Sequence, residues 1–177
     1  MKKVLMFFVM VLLSANVIAK NTITFLGIPV DGSKKEVTRK LQKKGFIYDN
    51  VDDVLYGEFN GREVCVQVQT VNNVVWRIVL FDVKDTDLIS IRHTHDILYE
   101  QLLNNDKYTL VYANRIKKNA TVPYEMEVNH ERFDVLFLTS DKDQSGCLWY
   151  FIHRDKGRYR LVMFYENLIN EPNGDYL

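Results

Sequence analysis

The stretch VLYGEFNGREVCVQVQT, residues 54–70, decides the fold class that the sequence predicts. Its Asn60-Gly61 dipeptide tolerates the positive φ angles of a two-residue type I′ turn, so the residues on either side are expected to pair as a β-hairpin. Apolar and polar side chains alternate along both arms, which is the pattern of a sheet with one buried face. That buried face would carry Leu55, Val64, Val66 and Val68.

A third strand follows this hairpin, and its register depends on the turn before it. A three-residue turn at 71–73 would add Trp76, Ile78 and Leu80 to the buried face. A two-residue turn would place Arg77 there instead. We expect the longer turn, because it leaves the charged side chain in water.

Two amphipathic helices are predicted. The first begins with a capping box formed by Ser33 and Glu36, buries Val37 and Leu41, and ends at Gly45, which suits the left-handed C′ position. The second covers 86–105, because apolar side chains recur at three- and four-residue steps. Its buried stripe is Leu88, Ile91, His95, Leu98 and Leu102.

The rest of the chain is predicted to be mainly strands. After an irregular stretch up to Pro123, strands are expected near 125–129, 132–139, 147–153 and 158–165, followed by a loosely attached tail from Asn167. Strands with a few helices on one side indicate an α+β fold, an antiparallel sheet with helices packed on one face.

An internal repeat is predicted from a gapless match between residues 58–70 and 127–139, in which Glu, Asn, Val and Thr recur in place. The interpretation is two tandem helix-plus-antiparallel-strand units, about 20–83 and 84–166, within a single domain over 20–177. Chance similarity between two hairpins stays the alternative.

The N-terminus has the anatomy of a secretory signal peptide over 1–19. Lys2 and Lys3 precede the apolar run 4–13, and Val17 and Ala19 occupy the positions of an A-x-A-like cleavage site. The apolar run is too short to span a bilayer. No cysteine follows the cleavage point, so a soluble periplasmic or secreted protein without a lipid anchor is expected.

Charge and motifs exclude several classes of function. Beyond residue 19 the chain has 21 basic and 23 acidic side chains, which argues against a nucleic-acid partner. No catalytic or metal-binding motif occurs, so no enzyme activity, no cofactor and no metal site are expected. A Cys–His pair, or the carboxylates Glu58 and Glu63 across the hairpin, stay the catalytic alternatives. The basic first helix is interpreted as a solvated face, so membrane association is not expected.

Cys65 and Cys147 would lie in a compartment that permits a disulfide. The side chain of Cys65 is expected to point to the opposite side of its strand from those of the neighbouring valines. Cys147 shares a side with Trp149 and Phe151, which the pattern assigns to the core. The two thiols would then lie on opposite faces of the sheet, so free buried thiols are expected and the disulfide stays open.

The two predicted units differ on the face away from the core. In the first unit this face is polar, with Tyr56 and Arg77 among glutamates and glutamines. In the second unit it is apolar and must be covered by something, since large exposed apolar patches mark interfaces. The chain's own 107–124 segment, its N-terminal strand, a partner or a second copy could cover it. The predicted binding face is Tyr56, Arg77, Leu136, Leu138, Tyr150, Ile152, Leu161, Met163 and Tyr165.

The segment from Gly32-Ser33 through Glu36, Val37, Leu41 and Gly45, followed by a meander, resembles the fold of SmpA/OmlA-type envelope lipoproteins. Two such units in tandem resemble the architecture of β-lactamase-inhibitor proteins. The opening FLGIPVDG, residues 25–32, is similar to small secreted bacterial proteins of unassigned function. These resemblances imply a protein-binding surface without membrane tethering, because the lipidated cysteine is absent.

The function expected from the sequence is therefore an exported, non-catalytic module that binds a protein or another envelope component through a sheet face. A homo-oligomer stays open. The resemblance to tandem-repeat inhibitors implies one alternative, inhibition of a secreted hydrolase, and an unrecognised enzyme is a lesser one.

Overall fold

A computed structural model describes residues 22–117 and 119–172. The predicted signal peptide therefore lies outside the described residues. The helices are α1 (Lys34–Lys43), α2 (Leu88–Leu103) and α3 (Val122–Glu127). The strands are β1 (Thr24–Phe25), β2 (Ile28–Pro29), β3 (Ile47–Asp49), β4 (Val54–Phe59), β5 (Arg62–Val71), β6 (Val74–Asp82), β7 (Tyr108–Ala113), β8 (Asp134–Thr139), β9 (Gly146–Asp155) and β10 (Arg158–Asn167).

Eight strands form one antiparallel sheet in the order β3-β4-β5-β6-β10-β9-β8-β7, and β1 pairs with β2 in a separate hairpin. The last strand of each four-strand run lies at the centre, where β6 pairs with β10. Helix α1 packs on β5 and β6, and α2 packs on β10 and β7. The predicted α+β class, with helices on one face of an antiparallel sheet, is confirmed.

A helix and four later strands occur twice, with α3 between β7 and β8 in the second run, and the strand order is mirrored about the β6–β10 pair. The match between 58–70 and 127–139 does not follow this order, because it aligns β5 with β8, whereas β9 occupies the mirrored position. The internal repeat stays a prediction.

The first helix begins and ends at the predicted residues, but only the Ser33 half of the predicted capping box forms. The Ser33 hydroxyl accepts a hydrogen bond from the Glu36 backbone N–H at 3.3 Å, and Gly45 has φ +97°. The Glu36 carboxylate does not close the capping box but pairs with Lys40 at 2.8 Å. Val37 and Leu41 are buried against the sheet, which fixes the helix on this face.

The turn between β5 and β6 differs from the prediction. Asn60-Gly61 forms the expected turn between β4 and β5, with positive φ at both residues. The next turn has two residues, Asn72-Asn73, rather than three. A bulge then makes Trp76 an extra residue, since Gln69 pairs with Arg77 while Thr70 pairs with Val75.

The bulge restores the side of the sheet to which Ile78 and Leu80 point, but not the expected pairing, because Val68 lies opposite Ile78 and a three-residue turn would place it opposite Trp76. Ile78 and Leu80 are buried on the helix side, as predicted. Trp76 is not with them: its ring lies 3.9 Å from the Arg77 guanidinium, on the other side of the sheet. The predicted position of Trp76 is therefore wrong.

Two further segments differ from the sequence prediction. Residues 108–113, within the stretch expected to be irregular, form the edge strand β7. The strand predicted near 125–129 is instead helix α3, in which Pro123 occupies the first turn, where its missing N–H costs no hydrogen bond.

The chain end described in the structure is anchored rather than loose. Asn167 is fully buried and donates a hydrogen bond to the Val30 carbonyl at 2.9 Å. Asn170 donates to Asp31 at 2.8 Å and to the Val75 carbonyl at 3.1 Å. The prediction of a loose tail is wrong for these residues, and 173–177 lie outside the described part of the chain.

Candidate functional site

The sheet has one side covered by helices and one side away from them, which we call the open face. Five residues of the predicted binding face lie on the covered side and are buried among core side chains; the rings of Tyr150 and His95 of α2, for example, meet edge-on with centroids 5.6 Å apart. The prediction that they form an exposed face is wrong. They are Tyr150, Ile152, Leu161, Met163 and Tyr165.

The other four predicted residues lie on the open face. Tyr56 pairs across the strands with Cys65, Leu136 with Trp149, and Leu138 with Cys147. Arg77 lies over the rings of its neighbours Trp76 and Phe164. The face is apolar in its second half, as predicted, but with different residues, and the apolar surface continues onto β6 of the first half. Its apolar side chains include Val79, Phe81, Trp149, Phe151, Val162 and Phe164.

Three aromatic rings at the centre of this face are stacked on one another. Trp149 of β9 and Phe164 of β10 are paired in register, with ring centroids 3.9 Å apart and planes 4° from parallel. Phe151 lies 5.9 Å from Trp149 and 6.1 Å from Phe164, with interplanar angles of 21° and 17°. All three side chains are partly exposed.

The stacking decides which part of each ring meets solvent. Neighbouring strands are about 4.8 Å apart. Rings on two neighbouring strands that stack face to face therefore stand upright on the sheet, with their planes perpendicular to it. Trp149 and Phe164 therefore cover each other's faces and present their edges outward. Ring edges carry the positive part of the aromatic quadrupole, so they favour contact with electronegative atoms.

Two arginines flank the stack. The Arg77 guanidinium lies 3.9 Å from the Trp76 ring centroid and 5.4 Å from that of Phe164. At the other end, the Arg132 guanidinium lies 5.9 Å from Trp149 and 5.7 Å from Phe151. We call this set the Arg–aromatic row; it consists of Trp76, Arg77, Phe164, Trp149, Phe151 and Arg132.

Each arginine of the row has a carboxylate partner beneath it. Arg77 Nη2 is 2.6 Å from Glu166 Oε1, in an ion pair rather than an aligned hydrogen bond. Glu166 Oε2 also accepts a hydrogen bond from the Cys147 thiol at 3.1 Å. Arg132 donates from Nε and Nη2 to one oxygen of Asp134, at 2.9 and 2.7 Å. Both charge and stacking therefore restrain the side chains of the row.

A cleft of about 570 Å³ opens beside the row, between the edge strand β7 and the centre of the sheet. Apolar side chains form much of its lining, while Arg132 and two carboxylates supply the polar groups. It is lined by Tyr112, Arg132, Asp134, Val135, Leu136, Cys147, Trp149 and Glu166.

The segments expected to cover this face do not do so. The β1–β2 hairpin packs on the helix side, where the Phe25 ring contacts Phe46, Phe59 and Tyr165. In the 107–124 segment, β7 extends the sheet at its edge, and Ile116 and Val122 belong to the core cluster. The described parts of both candidate segments thus belong to the sheet edge or its other side.

The two cysteines are free and lie on the same face, not on opposite faces as expected. The reason is that Cys147 shares its side with Trp149 and Phe151, which face away from the helices. Two strands separate β5 from β9, so the cysteine-bearing strands are about 14 Å apart, too far for a disulfide. Burial raises the pKa of both thiols, so neither is an activated nucleophile.

Of the four histidines, His95 is buried, whereas His93, His130 and His153 are exposed. His95 is fully buried on α2; Asp96 Oδ1 lies 3.5 Å from its Nδ1, but within the described residues neither ring nitrogen has an aligned hydrogen bond. Burial lowers the pKa of His95. Within 22–117 and 119–172, no group of three His, Cys, Asp or Glu side chains is placed to hold a metal ion.

Searches of protein-family models, curated proteins and solved structures give no match to this chain. Among the described helices, none has the length and apolar character needed to cross a membrane.

Proposed function

We propose that this protein is an exported, non-catalytic binding protein that recognises another protein or envelope component, and that the Arg–aromatic row is the centre of its binding surface. The observation that carries the proposal is a stacked, partly exposed group of aromatic rings, flanked by arginines, on the side of the sheet away from the helices.

The residue types of the row support recognition of a protein. Tryptophan, tyrosine and arginine contribute most of the binding energy in many protein interfaces, especially where they lie near the centre of the contact. In this chain Trp149 lies on β9, Arg132 lies just before β8, and Tyr112 borders the same cleft.

The rigidity of the row supports binding as well. Side chains that are ordered before binding lose little conformational entropy when a partner arrives. Stacking restricts Trp149 and Phe164, and the contact with Glu166 restricts Arg77. Such a surface is suited to a defined partner rather than to nonspecific adhesion.

Export rests on the N-terminal pattern of two lysines, an apolar run and a small-residue cleavage site. Inhibition of a secreted hydrolase, the alternative implied by the resemblance to tandem-repeat inhibitors, would use the same open face and stays a prediction.

Site-specific photo-crosslinking in expressing cells tests the proposal. A benzophenone amino acid placed at Phe151, on the open face, is expected to give a covalent adduct of higher mass on irradiation. The matched control is the same amino acid at Tyr124, which is exposed on α3 away from this face. No adduct from position 151, or equal adducts from both positions, would contradict recognition through the open face.

A further inference from the structure

Building on the proposed function, we infer that the open face binds an acidic and apolar segment of a partner protein. In this complex a carboxylate of the partner contacts Arg132, and a neighbouring apolar side chain enters the cleft beside Trp149. The inference rests on which charges of the row a partner can reach.

The arginines of the row are more exposed than their carboxylates. The side chain of Arg132 is 61% exposed against 15% for Asp134, and that of Arg77 is 24% exposed against 7% for Glu166. Although each pair is neutral, a docking partner meets guanidinium N–H groups before it meets carboxylate oxygens. At contact distance the row therefore complements an anion.

Other ion pairs at this face leave their carboxylates accessible, which places the anion site at the row. In the Lys84–Glu63 pair the side chains are 83% and 51% exposed, so a partner meets the carboxylate as well as the ammonium group. In the Arg160–Asp85 pair the two side chains are 31% and 35% exposed. The exposed carboxylates Glu58 and Glu63 belong to β4 and β5, in the other half of the sheet. A partner carboxylate would thus meet mainly guanidinium donors at Arg132, whereas in that half it would meet Glu58 and Glu63 beside Lys84.

Arg132 has the donors for a second carboxylate. Its two hydrogen bonds, from Nε and Nη2, both end on Oδ2 of Asp134, and the Nη1 amino group takes part in neither. A planar guanidinium presents five N–H donors in a fixed fork, which suits bidentate contact with carboxylates.

The cleft accounts for the apolar part of the segment. Leu136 and Trp149 form its apolar wall next to Arg132, and its volume of about 570 Å³ is ample for one or two side chains. Asp134 and Glu166 also line it, so a carboxylate inside the cleft would meet like charge. The arrangement therefore favours the apolar group inside and the carboxylate at the rim, on Arg132.

The test uses a phage-displayed library of random twelve-residue peptides, selected on the protein purified from cells expressing the full chain. Peptides enriched on the wild type but not on Trp149→Ala identify binding to the row. We expect these peptides to combine Asp or Glu with a neighbouring large apolar residue. Their affinity should fall at least tenfold in Arg132→Gln and further in Arg132→Glu.

The matched control is Arg39→Glu, which makes the same charge change on the exposed side of α1 and should leave affinity unchanged. Circular dichroism and a urea transition verify that each variant is folded. Peptides that need Trp149 for binding but are not enriched in Asp or Glu would overturn the acidic-segment inference and leave the proposed function standing. Peptides that bind Arg132→Glu as tightly as the wild type would do the same. No face-dependent peptide, together with no crosslink from position 151, would overturn both.

Companion measurements test two other occupants of the open face. Light scattering that shows a dimer dissociated by Arg132→Glu would replace the partner segment with a second copy of the chain. Binding to vesicles of phosphatidylcholine and phosphatidylglycerol that is lost in Trp149→Ala would replace it with a membrane surface. A monomer that does not bind these vesicles, and that selects acidic peptides, supports the inference.

Discussion

The indole of Trp149 stacks on the ring of Phe164 across the β9–β10 pair, with centroids 3.9 Å apart and planes 4° from parallel. The next residue along each strand, Tyr150 and Tyr165, points to the opposite side and is buried under the helices. One pair of strands therefore supplies both the core and the open face, and substitutions at neighbouring positions should have different consequences.

Trp149→Ala is expected to weaken binding while costing less stability than a core truncation. An aromatic pair contributes about 0.5–1.5 kcal/mol beyond its burial, and Trp149 is only partly buried. Phe137→Ala on the covered side, where Phe137 is fully buried, should cost about 3–5 kcal/mol. Urea unfolding of the two variants measures the difference.

Equal losses of stability for Trp149→Ala and Phe137→Ala would contradict this division of the sheet. A Trp149→Phe variant is the matched control, because it keeps a ring on Phe164 and should retain most of the stability.

The pH dependence of stability should depend on His95. Burial lowers the pKa of His95, and the groups that face it are Asp96, Arg115 and the ring of Tyr150. The folded state therefore holds the imidazole neutral, whereas the unfolded chain binds a proton below its ordinary pKa of about 6.5. Stability should thus fall as pH drops through 6.5 toward the lower folded value, by up to about 1.4 kcal/mol per pH unit.

His95→Phe removes this proton uptake and keeps an aromatic ring against Tyr150. Unfolding free energies of both proteins are measured from pH 7.5 to 5. As the pH falls, the wild type should lose stability relative to the variant. A difference that stays constant over this range would show that His95 does not titrate on unfolding.

The turn that sets the register of β6 can be tested at Asn73. Asn72 and Asn73 have φ of +51° and +64°, and the second position of such a turn favours glycine. Asn73→Gly should therefore stabilise the protein by about 0.5 kcal/mol, whereas Asn73→Ala should destabilise it by about 1 kcal/mol. Thermal or urea unfolding measures both changes, and the same effect for the two variants would contradict a two-residue turn.

The first half of the fold could be predicted from sequence because its signals are local. Ser33 and Gly45 mark the ends of α1, and Asn60-Gly61 fixes the register of the β4–β5 hairpin. The bulge at Trp76 has no such local signal. A two-residue turn without a bulge would place Ile78 and Leu80 on the opposite side of the sheet, and only the pairing along the whole of β5 and β6 shows the extra residue.

In the second half, the sequence pattern assigns the wrong set of side chains to the open face, because both sides of β9 and β10 are apolar. A signal was nevertheless present. The ionisable residues Asp134, His153, Arg160 and Glu166 share the phase of Trp149, Phe151 and Phe164, whereas Tyr150 and Ile152 share theirs with Leu161 and Met163. Weighting charge above ring size would have placed Trp149 and Phe164 on the open face.

Arg132 and Tyr112 could not be placed by strand pattern alone. Arg132 precedes β8, and its position follows from its two bonds to Asp134. Tyr112 lies on β7 after a second irregularity in pairing, so its side depends on a bulge that the sequence does not show.

The two cysteines should remain reduced even in an oxidising compartment. Cys65 and Cys147 are 2% and 5% exposed, and their strands are separated by β6 and β10. Burial raises the pKa of both thiols, and the neighbouring Glu166 carboxylate adds to the effect at Cys147. An aromatic disulfide reagent should thus react slowly with the native protein and release two equivalents of thiolate after unfolding without reductant. Cys65→Ala and Cys147→Ala should each release one, whereas fewer than two equivalents from the unfolded wild type would reveal a disulfide that this strand order forbids.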